Sequence, residues 1–181
     1  MSRSLLLSLL VRQHLALKEK FRVRYPHCWL VWEAGAWNVP EADEVSPGAT
    51  RLPTADLYDC LPSGDVLCFE LAPGTRAPSV PLGRASHNVI VINDATVSRE
   101  HLVLRPEVEG GWQVEALQRA GPALLGGRLL RPGQPTRLVS GMQLQLGDVR
   151  LTFHDAEGFH VRLGHLATLL MAQQQGSSRT A

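Results

Sequence analysis

Met142, Leu144 and Leu146 alternate with Gln143 and Gln145, and beyond Gly147-Asp148 the residues Val149, Leu151 and Phe153 alternate with Arg150, Thr152 and His154. Strand side chains point to opposite faces with a period of two, and a two-residue turn with Gly first sets the register of its hairpin. Leu146 should then oppose Val149, Leu144 oppose Leu151 and Met142 oppose Phe153, placing six apolar side chains on one face. A face of that kind has to be covered by a second layer. Between Gly64 and His154 short strand patterns and turn signals follow one another without helical spacing, which predicts a mainly β protein built as a sandwich. The strand candidates are Asp65 to Leu71, Val80 with Leu82, Val89 to Ile92, Leu102 to Leu104 and Trp112 to Ala116. Gly74 with Pro78 marks one turn, and Glu109-Gly110-Gly111 makes the hairpin connection into the Trp112 strand. Trp112, Val114 and Ala116 share a face there, so Trp112 reads as core.

The flanks differ in pattern. Residues 4–20 predict a helix with Ser4 as its N-cap and Lys18 and Lys20 in a basic last turn. Its run from Leu5 to Val11 is too short to span a bilayer, and no small-residue cleavage site follows before Lys18. The broad apolar surface, carried further by Leu15 and Leu17, has to pack on the rest of the chain or on a partner. Residues 28–33 predict a strand, and Trp29, Trp32 and Trp37 form either a small satellite core with the first helix or an aromatic contact surface. Residues 38–56 are acidic and rich in Pro, Gly, Ala and Ser, the composition of a loop; Thr50 and Thr54 within it are candidates for phosphorylation and capture in cis. Helical spacing returns over 157–174, with Phe159, Leu163, Leu166 and Leu170 on a stripe interrupted by Gly164. The tail from Gln173 is polar and expected to fray. The expected organisation is an N-terminal extension over 1–60, a sandwich over 62–156 and a C-terminal helix and tail over 157–181.

Several function classes are disfavoured. A formal net charge of +1 argues against a general nucleic-acid binder, and no segment predicts membrane insertion. Cys28, Cys60 and Cys68 are odd in number and lack metal-ligand spacing, which suits reduced thiols in a cytoplasmic protein, with a Cys60 to Cys68 bridge as the alternative. Neither a metal nor a cofactor is expected. Ser98 lies in no G-x-S-x-G elbow, and Walker-type and H-E-x-x-H motifs are absent from the sequence, so catalysis is not expected.

The chemistry concentrates in residues 83–101, GRASHNVIVINDATVSREH. A Gly-Arg turn precedes an apolar strand, and Ser98, Arg99 and His101 sit just before the next, so two loops at one end of a sheet would carry Arg84, Ser98 and Arg99. A guanidinium presents a planar fork of donors matched to phosphate or carboxylate oxygens, and a nearby hydroxyl can donate to another oxygen of the same anion. His101 would brace the Ser98 loop, and Asn88 would tie a loop backbone together.

The spacing of Gly83-Arg84, Asn88 and Ser98-Arg99-x-His101 resembles the forkhead-associated (FHA) domain without a gap, and weaker likeness continues to about Asp155. The resemblance implies a β-sandwich that binds phosphothreonine peptides, with Arg84 on the phosphate, Ser98 donating its hydroxyl, Arg99 adding charge and peptide contacts, and Gly83 and His101 in structural roles. It also implies a preference for threonine over serine. Where the family usually has Ser-x-Asn-Gly-Thr, with the Asn holding the peptide backbone, this chain has Gln118, Arg119, Ala120, Gly121 and Pro122. Arg119, Ala120 and Gly121 are thus the candidate peptide-contact loop, with the usual amide replaced by a methyl group. The implied partner is a phosphothreonine-containing protein, a kinase or kinase substrate. The alternative is a phosphate-independent assembly protein that uses the sandwich and the Trp-rich N-terminal segment as its interface.

Overall fold

The computed structural model describes residues 4–35, 38, 66–72, 79–108 and 110–177. The expectations for Trp37, for the 39–56 loop with Thr50 and Thr54, for Cys60 and its bridge, and for Gly64, Asp65, Gly74, Pro78 and Glu109 lie outside them. Among the described residues twelve strands and three helices follow in order: β1 Ser4–Leu6, α1 Leu7–Leu17, α2 Lys20–Arg24, β2 Cys28–Trp32, β3 Leu67–Leu71, β4 Val80–Gly83, β5 Ile90–Val91, β6 Leu102–Pro106, β7 Trp112–Ala116, β8 Ala123–Leu125, β9 Arg128–Leu129, β10 Thr136–Leu138, β11 Gln143–Leu146, β12 Val149–His154 and α3 Ala156–Ser177. One sheet has the order β1-β3-β2-β12-β11-β8-β9 and the other β10-β7-β6-β4-β5. The fold is a β-sandwich with its helices on one outer face.

The β11–β12 hairpin has the register its alternation predicts, Leu144 opposite Leu151 and Leu146 opposite Val149, with Gly147 at φ +59° in the turn. Its apolar face joins Leu30, Trp32, Phe69, Leu82, Leu102, Leu104, Trp112 and Val114 in the core between the sheets. Strand β5 is shorter than the Val89–Ile92 pattern suggested. It pairs parallel with β4 over two residues only, because Asp94 immediately organises the chain into a turn. The Asp94 carboxylate is fully buried and accepts the Thr96 N–H at 2.9 Å, the Thr96 hydroxyl at 2.6 Å and the Asn38 N–H at 2.8 Å.

The N-terminal segment departs from the expected continuous helix over 4–20. Ser4 is no N-cap: Ser4 to Leu6 pair with β3 as an edge strand, and the helix starts at Leu7 with no side-chain cap. It ends at Lys18, whose φ of +49° turns the chain into α2. Helix propensity in residues 4–6 gives way to three antiparallel partners on β3. Strand β2, in the segment expected as an extension, is hydrogen-bonded between β3 and β12. Period two then divides its tryptophans. Trp32 enters the core between the sheets, and Trp29 enters a second core with Leu10, Val11, Phe21, Phe159 and Leu163 beneath the helices. Trp29 stacks on Phe159 with ring centroids 4.8 Å apart, and both tryptophans are buried, so neither forms a contact surface.

Helix α3 is capped by Asp155, whose carboxylate accepts the Gly158 N–H at 2.7 Å, and it runs through Ser177, past the expected fraying point. Its buried stripe is Phe159, Leu163 and Ala167, while Leu170 is exposed. A Cβ on Gly164 would meet His14 of α1 at 3.8 Å, an ordinary contact. Gly164→Ala is therefore expected to stabilise the fold by about 0.5–1 kcal/mol, from helix propensity and reduced freedom of the unfolded chain. A higher urea midpoint with an unchanged slope is the readout; a lower midpoint would mean that α1 cannot accept even this contact.

The junction of α3 with the sheet is polar. Arg162 holds Glu33 through two hydrogen bonds of 2.7 and 2.9 Å and approaches Nε2 of His154 at 3.2 Å. Burial, then the Arg162 charge, pushes His154 down from 6.5 to about 4, against the opposing pull of Glu33 and Asp155. For Glu33, burial works upward but the Arg162 and Thr152 hydrogen bonds prevail and hold the carboxyl below its ordinary range. A histidine with a depressed folded pKa binds fewer protons folded than unfolded, so its stabilisation is complete above about pH 6.5 and is lost as pH falls toward 4. Discounted for solvent screening at this part-exposed ring, that loss should be on the order of 1–2 kcal/mol in urea titrations between pH 7.5 and 4. His154→Gln should reduce the slope of the profile between pH 6.5 and 4.5, the remainder coming from the other histidines held low by burial, and an unchanged slope in that variant would refute the assignment.

Candidate functional site

Three loops converge at one end of the sandwich: residues 84–89 between β4 and β5, 92–101 between β5 and β6, and 117–122 between β7 and β8. The first two are sewn together by backbone bonds from Arg84 N–H to the Ser98 carbonyl at 3.0 Å and from Ala85 N–H to the Arg99 carbonyl at 3.1 Å. Asn88, buried, donates its side-chain amide to the carbonyls of Ala85 at 2.8 Å and Arg99 at 2.7 Å. Gly83 sits where the chains pass closest. A Cβ there would fall 2.8 Å from the Arg99 carbonyl carbon and 2.9 Å from the Ser98 carbonyl oxygen, with the Arg99 oxygen nearer still. A backbone cross-over this tight excludes any side chain.

His101 is fully buried. Its Nδ1 accepts the Ser98 backbone N–H at 3.0 Å, which places the proton of the neutral ring on Nε2. Burial keeps its pKa below the ordinary value, opposed by the backbone of Pro122 and Gly121 against the other edge of the ring. The imidazole therefore spans the second and third loops. Its acceptor nitrogen Nδ1 is taken by the Ser98 backbone N–H and so is not offered to the hydroxyl proton, which is not the arrangement of a serine–histidine nucleophile.

The Ser98 hydroxyl oxygen accepts the Gly121 N–H at 2.8 Å. One lone pair is thereby engaged and the O–H proton remains available to donate, which is the polarity an anion needs. Ser98, Arg84, Arg99 and Arg119 line one open depression of about 560 Å³, together with His87 and Glu100, which bond each other at 2.7 Å. The structure thus brings Arg84, Ser98 and Arg99 to a single concavity, with Gly83, Asn88 and His101 beneath it. From the third loop it brings Arg119 to the rim, while Ala120 lacks any polar side-chain atom and Gly121 lies against Ser98 and His101. His87 and Glu100 belong to no motif in the sequence. The signal for them was weak: two polar residues thirteen apart whose pairing depends on the loops meeting.

Among the described residues, no helix is long and apolar enough to cross a membrane, and no group of three or more His, Cys, Asp or Glu side chains is placed to hold a metal ion. Residues 80–147 match the family model of the FHA domain. The chain is similar to several solved structures. One is an FHA domain of an Arabidopsis thaliana hypothetical protein, with 18% identity over 71% of this chain and 86% of that one, at a TM-score of 0.47. Another is the FHA domain of the CT664 protein from Chlamydia trachomatis, with 17% identity over 71% and 97%, at 0.46. A third is full-length yeast Pml1p, with 17% identity over 80% and 90%, at 0.48. No curated protein matches the chain.

Proposed function

We propose that this chain, whose residues 80–147 match the model of the FHA domain, a family known as phosphopeptide-binding modules, is a phosphothreonine-dependent protein-binding module rather than an enzyme. In this reading Arg84 and Ser98 hold the phosphate, Arg99 adds charge and contacts to the peptide, and the partner is a phosphorylated protein of Ser/Thr kinase signalling. The observation that carries it is the convergence of these three side chains in one open depression, with the Ser98 hydroxyl oxygen already engaged by the Gly121 N–H and its proton left to donate. A phosphate monoester brings nearly two negative charges and three strong acceptor oxygens, which such a set of donors suits. Rigidity supports the reading further. The loops are fixed by Asn88 and His101 from below, so little ordering is left for the moment of binding.

Calorimetry with matched phosphothreonine and unphosphorylated peptides from a degenerate library tests the proposal. Binding of phosphorylated members alone is expected. Equal binding of both forms, or binding of neither while a partner is still retained from phosphatase-treated lysate, would point to phosphate-independent assembly.

A further inference from the structure

We propose that Arg119 makes this site selective for ligands bearing a second anionic group, a carboxylate or another phosphate, beside the phosphothreonine; the inference rests on the phosphopeptide reading above. Arg119 lines the same depression as Arg84 and Ser98, from the opposite loop. That loop is held in place: Gly121, two residues on, donates to Ser98 Oγ at 2.8 Å, and a Cβ there would lie 3.8 Å from Cε1 of His101. Arg119 therefore projects from a fixed base. Ala120 offers no polar side-chain atom, and the Ala120 N–H is already given to the Leu117 carbonyl at 3.1 Å, so neither group is left to grip a peptide amide. Of the side chains of this loop, the exposed Gln118 amide included, Arg119 is the one that lines the depression, and a guanidinium selects oxyanions, bidentately, over neutral amides. Among the described residues lining the depression, Glu100 supplies the carboxylate, and His87 holds it at 2.7 Å.

The test uses the full chain and synthetic peptides with one phosphothreonine flanked by alanines, carrying aspartate, asparagine or a second phosphothreonine at each flanking position in turn. Calorimetry should find one position where aspartate binds roughly tenfold more tightly than asparagine. In Arg119→Gln that aspartate-to-asparagine ratio should fall to about one, and Arg119→Lys should recover only part of it, since an ammonium lacks the planar fork. A second phosphate exceeding aspartate at that position assigns the preference to a doubly phosphorylated ligand; the reverse assigns it to an acidic residue. If the single-phosphate peptides bind but aspartate and the second phosphate bring no gain, or the gain survives in Arg119→Gln, the inference is overturned while the phosphopeptide reading stands. If no phosphorylated peptide binds, both are overturned.

Discussion

An Arg84→Ala chain is expected to bind a phosphothreonine peptide roughly 100-fold more weakly than the parent, with its urea midpoint nearly unchanged. The two halves of this expectation have different origins. Arg84 is held in position through its backbone N–H, which bonds the Ser98 carbonyl at 3.0 Å, and alanine retains that bond. What is lost is the guanidinium, whose charge-assisted hydrogen bonds to a dianion contribute a few kcal/mol of binding where solvent is partly excluded. Ser98→Ala should cost less, about tenfold, because one neutral donor disappears. It also leaves the Gly121 N–H without its acceptor, so the third loop should loosen. Calorimetry with one phosphopeptide measures both variants. Parental affinity in both would place the phosphate elsewhere.

Gly83→Ala is expected to have the largest effect on the fold, a loss of about 3 kcal/mol in urea or thermal unfolding. The added methyl would run into the Arg99 and Ser98 backbone, and neither can withdraw. Arg84 and Ala85 donate to those same two carbonyls, and Asn88 fastens Arg99 from the other side. Relief requires β4 to move from β6, which would break the Val80–Leu104 to Leu82–Leu102 ladder and disturb the depression beside it. Gly164→Ala is the control, since the same substitution there has room. A Gly83→Ala chain as stable as the parent would mean that the cross-over is looser than its geometry implies.

Much of the sandwich was legible because its strongest signals are local. Alternation in residues 142–153 sets which side chains share a face, and a two-residue turn sets the register, so the hairpin could be written down pair by pair. The motif from Gly83 to His101 was legible for the same reason, as residue types at fixed spacing. Strands β8, β9 and β10 were not. They have three, two and three residues, too few for a period to show, and Arg128 and Leu129 are both exposed. Their place comes from neighbours: β8 from pairing with β11, and β10 from pairing with β7.

The sequence alone determined that there would be a β-sandwich, that Trp112 would be core and that arginine and serine would crowd one end of a sheet, since each depends on patterning within a few residues. Only the tertiary structure decided the rest. Ser4 to Leu6 leave the helix for an edge of β3, the two tryptophans of β2 serve different cores, and Arg119 joins a depression formed by residues from 84 to 100. The physical reason is the same in each case. A hydrogen bond or a buried face supplied from elsewhere in the chain outweighs a local preference of a few tenths to about 1 kcal/mol per residue, and which partner arrives depends on how the sheets are ordered.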